Sequence, residues 1–201
     1  MIYPKALEEL IEHFKKLPTI GEKTAERLAL SILNFSTEEN EKFAKSIQKT
    51  KKILQNCSIC GNLTDEKICH ICANDYRNQS LICIVEDYKS VFMFEKIGKF
   101  NGVYHVLGGL ISPIDGINPD DLNVNSLISR CNSLKDKEVE LIIALKPTIE
   151  GEATTMYITQ ILKNKKIKIS RLSYGIPMGA EIDYLDALTL ERALDDRKDL
   201  L

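Results

Sequence analysis

Four cysteines carry the strongest chemical signal in this 201-residue chain: Cys57 and Cys60, then Cys69 and Cys72. Two residues separate the members of each pair, so both thiolates can turn toward one ion, and two such pairs complete a tetrahedron. An all-sulfur tetrahedron with this spacing reads as a zinc site. Four protein ligands leave no open coordination position, so the predicted site is structural and not catalytic. The eight residues between the pairs close as a small polar loop through Gly61, Asn62, Thr64 and Asp65. His70 lies within the cluster and is a competing ligand in principle, but four thiolates already satisfy the ion. Cys83 and Cys131, on a predicted strand and a predicted helix, read as buried thiols.

A second candidate site is the segment LPTIGEKTAERLA, residues 17–29. Pro18 and Gly21 mark a tight connection between two helices, with Gly21 expected to supply positive φ and close backbone approach. The helix that follows opens with free N–H groups, which together with its dipole attract a phosphate. Lys16, Lys23 and Arg27 would add charge-assisted contacts that grip a backbone without reading sequence. The alternative is a plain αα-hairpin with solvated lysines, and Glu22 and Glu26 weaken the local field.

The third candidate is acidic. Glu86 and Asp87 follow the apolar run LICIV, where α/β proteins place ligands, and Glu150 and Glu152 follow VELIIAL. Magnesium chemistry on phosphates needs carboxylates converging from several strand ends. The positions directly after the second run are Lys146 and Thr148, which are not magnesium ligands, and acids in a first helical turn also simply complement the dipole. A metal-dependent catalytic centre is therefore not expected. The loop containing Gly175, Pro177 and Gly179 lacks the phosphate-binding G-x-x-x-x-G-K-[ST] pattern, and Asp183, Asp186 and Glu191 read as a solvated helix face.

Several elements must position these groups. Residues 4–55 read as helical: Leu7, Leu10, Ile11 and Phe14 share one face, Ala25, Leu28, Ala29 and Ile32 another, and Ser36 with Glu39 forms a capping box before a third helix that runs toward Leu54. Beyond Asn78, strands are predicted at 81–85, 103–107, 139–145 and 167–172, with helices at 88–97, 120–134, 152–164 and from Tyr184 to about Lys198. Short apolar strands alternating with helices imply an α/β unit on a largely parallel, buried sheet. The apolar face Leu185, Leu188 and Leu194 of the last helix packs on its own domain or on a second subunit.

Hydrophobic content of 44% and charged content of 28% belong to an ordinary soluble protein. No apolar run is long enough to span a membrane, and the first residues do not form a secretory signal, so a cytoplasmic setting is expected in which cysteines bind metal or stay reduced. A net charge of −2 argues against coating nucleic acid by bulk electrostatics. The excess of basic residues lies before the cysteines, which makes the N-terminal part the better place for a local contact.

Taken in order, LPTIGEKTAERLA, CSICGNLTDEKICHIC, CIVEDYKSVFMFEKIGKFNGVYHVLGGLISPIDGI, LKPTIEGEATT and YGIPMGAEIDYLDALTLERAL resemble, along essentially the whole chain, the bacterial recombination mediators of the RecR family. The resemblance implies a helix-hairpin-helix module at 1–55, a four-cysteine zinc finger at 56–78, a Toprim domain at 79–173, and a C-terminal loop and helix at 174–201 that serve oligomerisation. It implies a non-enzymatic DNA repair mediator, a homodimer or homotetramer ring that encircles gapped or duplex DNA and acts with RecO-like and RecF-like proteins to promote RecA loading, cytoplasmic and nucleoid-associated when at work. Lys23 and Arg27, with Lys16 and Gly21, correspond to the DNA grip; Cys57, Cys60, Cys69 and Cys72 to the zinc ligands; Glu86, with Lys146, Glu150 and Glu152, to a partner-binding Toprim face. Departures from the family pattern are Thr19 for a common Gly, Glu22 for a common Pro, Lys146 for a usual Asn, and Ala180 for a frequent Gly. Two rivals are a Toprim-type nuclease or primase using Glu86, Glu150 and Glu152, and a zinc adaptor that binds only proteins.

Overall fold

A computed structural model describes residues 2–134, 138–163, 167–173 and 175–198. The chain forms two compact units that divide between Leu54 and Gln55. The predicted helix end at residue 164, and Tyr174 of the C-terminal loop, lie outside the described residues.

The first unit is three helices, α1 (Lys5–Lys15), α2 (Glu22–Ile32) and α3 (Thr37–Ile53). Ile11 packs on Ala25 and Ala29, and Tyr3, Leu7, Leu10, Phe14 and Ile20 surround them. Alanines one turn apart on α2 let the two helices approach closely, while Leu28, predicted on the same face, is turned partly to solvent. The predicted capping box starts α3: the Glu39 amide donates to the Ser36 hydroxyl at 3.2 Å, and the Ser36 amide donates to Glu39 at 2.8 Å.

The second unit begins with a two-residue hairpin, β1 (Gln55–Asn56) against β2 (Leu63–Thr64), which carries the cysteines. It continues into a parallel sheet of β3 (Asn78–Val85), β4 (Gly102–Val106), β5 (Val139–Ala144) and β6 (Ile167–Arg171), in the order β4-β3-β5-β6. Helices α4 (Tyr88–Ile97), α5 (Val124–Ser133) and α6 (Ile149–Leu162) make the crossovers, and α7 (Ala187–Asp195) follows the last strand. β3 starts three residues before its predicted start, α5 is preceded by a 3-10 turn at Pro119–Asp121, and α6 starts three residues earlier than expected because Thr148 caps it. The predicted start of α7 is a separate 3-10 turn, Ile182–Tyr184.

β4 is an edge strand, and its outward backbone groups are all the more costly because the strand is buried along its length. Arg77 donates to the Gly102 carbonyl at 3.1 Å, Arg130 to the Tyr104 carbonyl at 2.7 Å, and the Asn123 side-chain amide to the Val106 carbonyl at 3.0 Å. The Val106 amide donates to the carbonyl of Cys60 at 2.7 Å, so the cysteine loop itself completes the sheet edge. His105 is fully buried on this strand, with Nε2 2.9 Å from the Asn123 carbonyl, and burial pushes its pKa down to about 4, so it stays neutral.

The strand order brings the ends of β3 and β5 side by side, with Val85 opposite Ala144, and the chain then turns into α6. That turn is built around Gly151. A Cβ there would lie 1.9 Å from the Lys146 carbonyl oxygen, a distance no side chain tolerates. The Gly151 amide is capped by the Thr148 hydroxyl, and buried Thr154 donates to the Glu150 carbonyl while accepting from the Ile111 amide at 2.9 Å. The segments GEAT and GGLIS are thus tied by one hydroxyl. Gly151→Ala should lower unfolding stability by about 3 kcal/mol, because backbone and not a flexible side chain must yield; denaturant titration followed by circular dichroism checks it.

Candidate zinc centre and nucleic-acid interface

The cysteine loop is shaped by backbone bonds before any metal is considered. The Cys57 amide donates to the Asn62 carbonyl at 2.7 Å and the Gly61 amide to the Cys57 carbonyl at 2.9 Å, folding the first pair into a knuckle. Gly61 closes it at φ 72°, and a Cβ there would meet the Val106 carbonyl and the Asn123 side chain at 2.9 Å. The Ala73 amide donates to the Cys69 carbonyl at 3.0 Å, forming the second knuckle. The four sulfurs of Cys57, Cys60, Cys69 and Cys72 come within 4.8 Å of one another, and among the described residues no other group of His, Cys, Asp or Glu converges in this way. Cys57, Cys60 and Cys69 are buried and join the hydrophobic core of the sheet, while Cys72 is half-buried.

Four thiols this close cannot all ionise without a cation among them. Hydrogen bonds from Cys60 and Cys72 hold Cys69 well below the usual thiol range, and its hydrogen bond drives Cys60 far above that range. A dication removes this conflict, because each thiolate then faces positive charge. The Cys69 amide donates to the Cys57 sulfur at 3.3 Å, and the Cys72 amide to the Cys69 sulfur at 3.5 Å, the contacts that thiolates around a metal accept. The donor set therefore fits Zn2+, with no position left for substrate. His70 is exposed and takes no part in the cluster.

In the helical unit the turn between α1 and α2 differs from expectation at one residue. Gly21 has φ −82° and serves as the N-cap of α2 in extended conformation, whereas positive φ falls on Thr19, at 68°. A β-branched residue pays roughly 1–2 kcal/mol for that conformation, which explains why glycine suits the position. A Cβ on Gly21 would touch nothing of the chain, so the space above the α2 N-terminus is open. No side chain caps α2, which leaves its first amides free. Lys16, Lys23 and Arg27 are exposed, and none has a carboxylate partner among the described residues. Of the two acids nearby, Glu26 is engaged by the Tyr3 hydroxyl, whose pKa is raised first by the Glu26 charge and then by burial.

At the sheet's carboxyl end the predicted acids separate into two places. Glu86, at the end of β3, meets Lys146, at the end of β5, with the ammonium 3.0 Å from each carboxylate oxygen. Glu150 sits in the first turn of α6, where its own amide and the Thr148 hydroxyl hold its carboxyl below the usual range. Glu152 points elsewhere. It pairs with Arg171 on β6 and Arg192 on α7, both at 3.4 Å, and Arg171 also reaches Asp196 at 3.2 Å. This network, including Arg171, Arg192 and Asp196, was not legible in the sequence, because ion pairs between distant segments leave no spacing signal.

A helical hairpin with an open helix N-terminus, a closed four-sulfur zinc module and a parallel sheet with Glu86 at its switch point define a class: Toprim-type proteins of nucleic-acid metabolism that carry a zinc finger. Models of the RecR helix-hairpin-helix, the RecR four-cysteine zinc finger domain, the Toprim domain and the RecR C-terminal region match residues 7–51, 54–74, 80–173 and 175–198. The Recombination protein RecR of two Clostridium perfringens strains is 47% identical over 195 residues, covering 97% of this chain and 97% of the relative. The chain belongs to the RecR family, and it holds a structural zinc. No helix among the described residues is long and apolar enough to cross a membrane.

Removing the zinc by chelation, or one ligand by Cys69→Ser, should lower the melting temperature by about 10 °C or more, because the knuckles lose both their cross-link and their place in the core. Metal analysis should find about one zinc per wild-type chain and little in the variant.

Proposed function

We propose that this protein is a non-enzymatic mediator of DNA repair and recombination that grips DNA through the α1–α2 hairpin and receives protein partners on the carboxyl end of its sheet. The single observation that carries the DNA reading is the uncapped α2 N-terminus under an open Gly21, flanked by the unpaired cations Lys16, Lys23 and Arg27. Such a site takes phosphate from gapped or duplex DNA without regard to sequence. Strained Thr19 beside it sets a grip weaker than a glycine turn would allow.

The partners in this reading are RecO-like and RecF-like proteins, and the result is loading of RecA at gaps. Exposed Lys146 with half-buried Glu86 and Glu150 form the docking charges, while Glu152 pairs with Arg171 on β6 and Arg192 on α7. Self-assembly into a homodimer or homotetramer ring is supported by apolar side chains left uncovered within each unit: Phe43 and Ile47 on α3, and Leu188 and Leu194 on α7. The boundaries that serve this reading are 1–55 for the hairpin module, 56–78 for the zinc finger, 79–173 for the Toprim domain and 174–201 for the C-terminal segment.

A Toprim nuclease or primase would need acids converging near Glu86. Here Glu86 faces an ammonium, Glu152 is engaged with two arginines, and no acidic group among the described residues gathers as metal ligands do.

Lys23→Glu combined with Arg27→Glu should abolish retention of gapped duplex while zinc content and assembly state, read by metal analysis and light scattering, stay at wild-type values. Wild-type binding should weaken steeply with salt, as phosphate contacts require, and salt-independent binding would place the contact elsewhere. With Mg2+ or Mn2+ the wild type should leave gapped DNA uncut; cleavage that disappears in Glu86→Ala would establish the enzymatic reading instead.

A further inference from the structure

A cavity of about 290 Å3 lies where the cysteine loop meets α4. Asn62, His70 and Ile71 line it from the loop, and Phe92, Glu95 and Lys96 from the helix. Its volume falls at the bottom of the range for small-molecule sites, so it suits one inserted side chain and not a cofactor. Its polar groups are unequally satisfied. Glu95 is taken up by the Arg77 guanidinium and by the Tyr104 hydroxyl at 2.7 Å, so its charge is already matched. Asn62 is 1% exposed; its backbone carbonyl accepts from the Cys57 amide, but its side-chain Oδ1 has no hydrogen-bond partner. A buried acceptor left unpaired costs about 1–3 kcal/mol, which a donor brought from outside would remove.

The helix extends the cavity into a surface. Beside Phe92, α4 leaves Met93 60% and Ile97 62% exposed, while its opposite side buries Val91 in the core of the sheet. Lys89 and Lys96, seven residues apart, share this outer face about 10 Å from each other along the axis. Both are exposed, and neither has a carboxylate partner among the described residues. Asp87 is occupied as the cap of the helix, accepting from the Ser90 amide at 3.1 Å. The face is therefore apolar with unmatched positive charge. Nucleic acid and acidic peptide both combine negative charge with apolar rings, and the observations favour the peptide. Bases stack on aromatic planes, whereas the two most exposed apolar side chains here are aliphatic.

We propose that the cavity is a docking site for an acidic peptide segment of a partner protein, anchored by one tryptophan. The indole fills the cavity and donates its N–H to Asn62 Oδ1, and flanking carboxylates face Lys89 and Lys96. Tryptophan is the fitting anchor because its ring nitrogen only donates, so it meets an isolated acceptor and leaves nothing of its own unpaired. This chain contains no tryptophan, so a second copy does not supply the anchor.

The zinc-loaded full chain has no tryptophan emission of its own, so a synthetic acidic peptide with one central tryptophan reports its own burial. Its emission should shift to shorter wavelength and saturate as protein is added. Lys96→Glu and Phe92→Ala change exposed residues, and each should weaken binding about tenfold or more with zinc content and circular dichroism unchanged. The same peptide with 1-methyltryptophan, which keeps the ring and loses the donor, should bind about tenfold less tightly. Absence of a saturable shift overturns the proposal, as does wild-type affinity in either variant or for the methylated peptide. Binding that is lost in Lys23→Glu/Arg27→Glu and kept in Lys96→Glu places the peptide on the hairpin and overturns it too. Retention of single-stranded oligothymidylate that depends on Lys96 and Phe92, when peptide binding does not, makes the face a nucleic-acid platform instead.

Discussion

The hydrogen bond from the Val106 amide to the Cys60 carbonyl, 2.7 Å long, joins the metal module to the sheet and governs much else in the larger unit. A parallel sheet cannot leave an edge strand bare when that strand is buried, since each outward N–H and C=O has lost its water. Here the knuckle, Asn123, Arg77 and Arg130 supply the missing partners for β4. The consequence runs in both directions. The sheet gains a finished edge, and a loop too small to hold a core of its own gains one by sharing Ile82, Val103 and Leu127 with the strands and α5. Zinc thus stabilises more than the loop that binds it.

The carboxyl end of the sheet follows from strand order. Because β3 lies between β4 and β5, the residues after β3 and β5 emerge next to each other, and the identities there decide what the crevice can do. With Glu86 and Lys146 in those places the pair neutralises itself. The exposed ion pair adds little to stability, on the order of 1 kcal/mol or less. Its effect is on charge: a lone carboxylate would attract a cation, whereas this pair presents one negative and one positive group to whatever docks.

Different parts of this architecture were legible in the sequence to different degrees, for physical reasons. The cysteine spacing was sufficient because tetrahedral coordination restricts ligand separation along the chain to few values. The capping box at Ser36 and Glu39 was equally readable, since all its partners lie within one turn. Gly21 misled, because a glycine before a helix permits positive φ without requiring it, and the turn geometry placed that demand on Thr19. Gly151 was visible in its motif, but its necessity depends on the Lys146 carbonyl folding back against it, a contact set by the turn and not by composition. Arg130, Arg77 and Glu152 had no sequence signal at all, because each acts on a segment more than fifteen residues away.

The same logic explains why a metal site with no chemistry to perform sits in a protein that handles nucleic acid. A tetrathiolate centre would repel a phosphate backbone if its charge were free to act. The Cys69 and Cys72 amides donate to ligand sulfurs, and three of the four sulfurs are buried in the core, so the ion acts on the fold. In the proposed function, Lys16, Lys23 and Arg27, none with a carboxylate partner among the described residues, would set the local attraction at the hairpin. Of the acids near the hairpin, Glu26 is engaged by Tyr3 and Glu12 by Lys15, while at the sheet's carboxyl end Glu86 is held by a lysine and Glu152 by arginines.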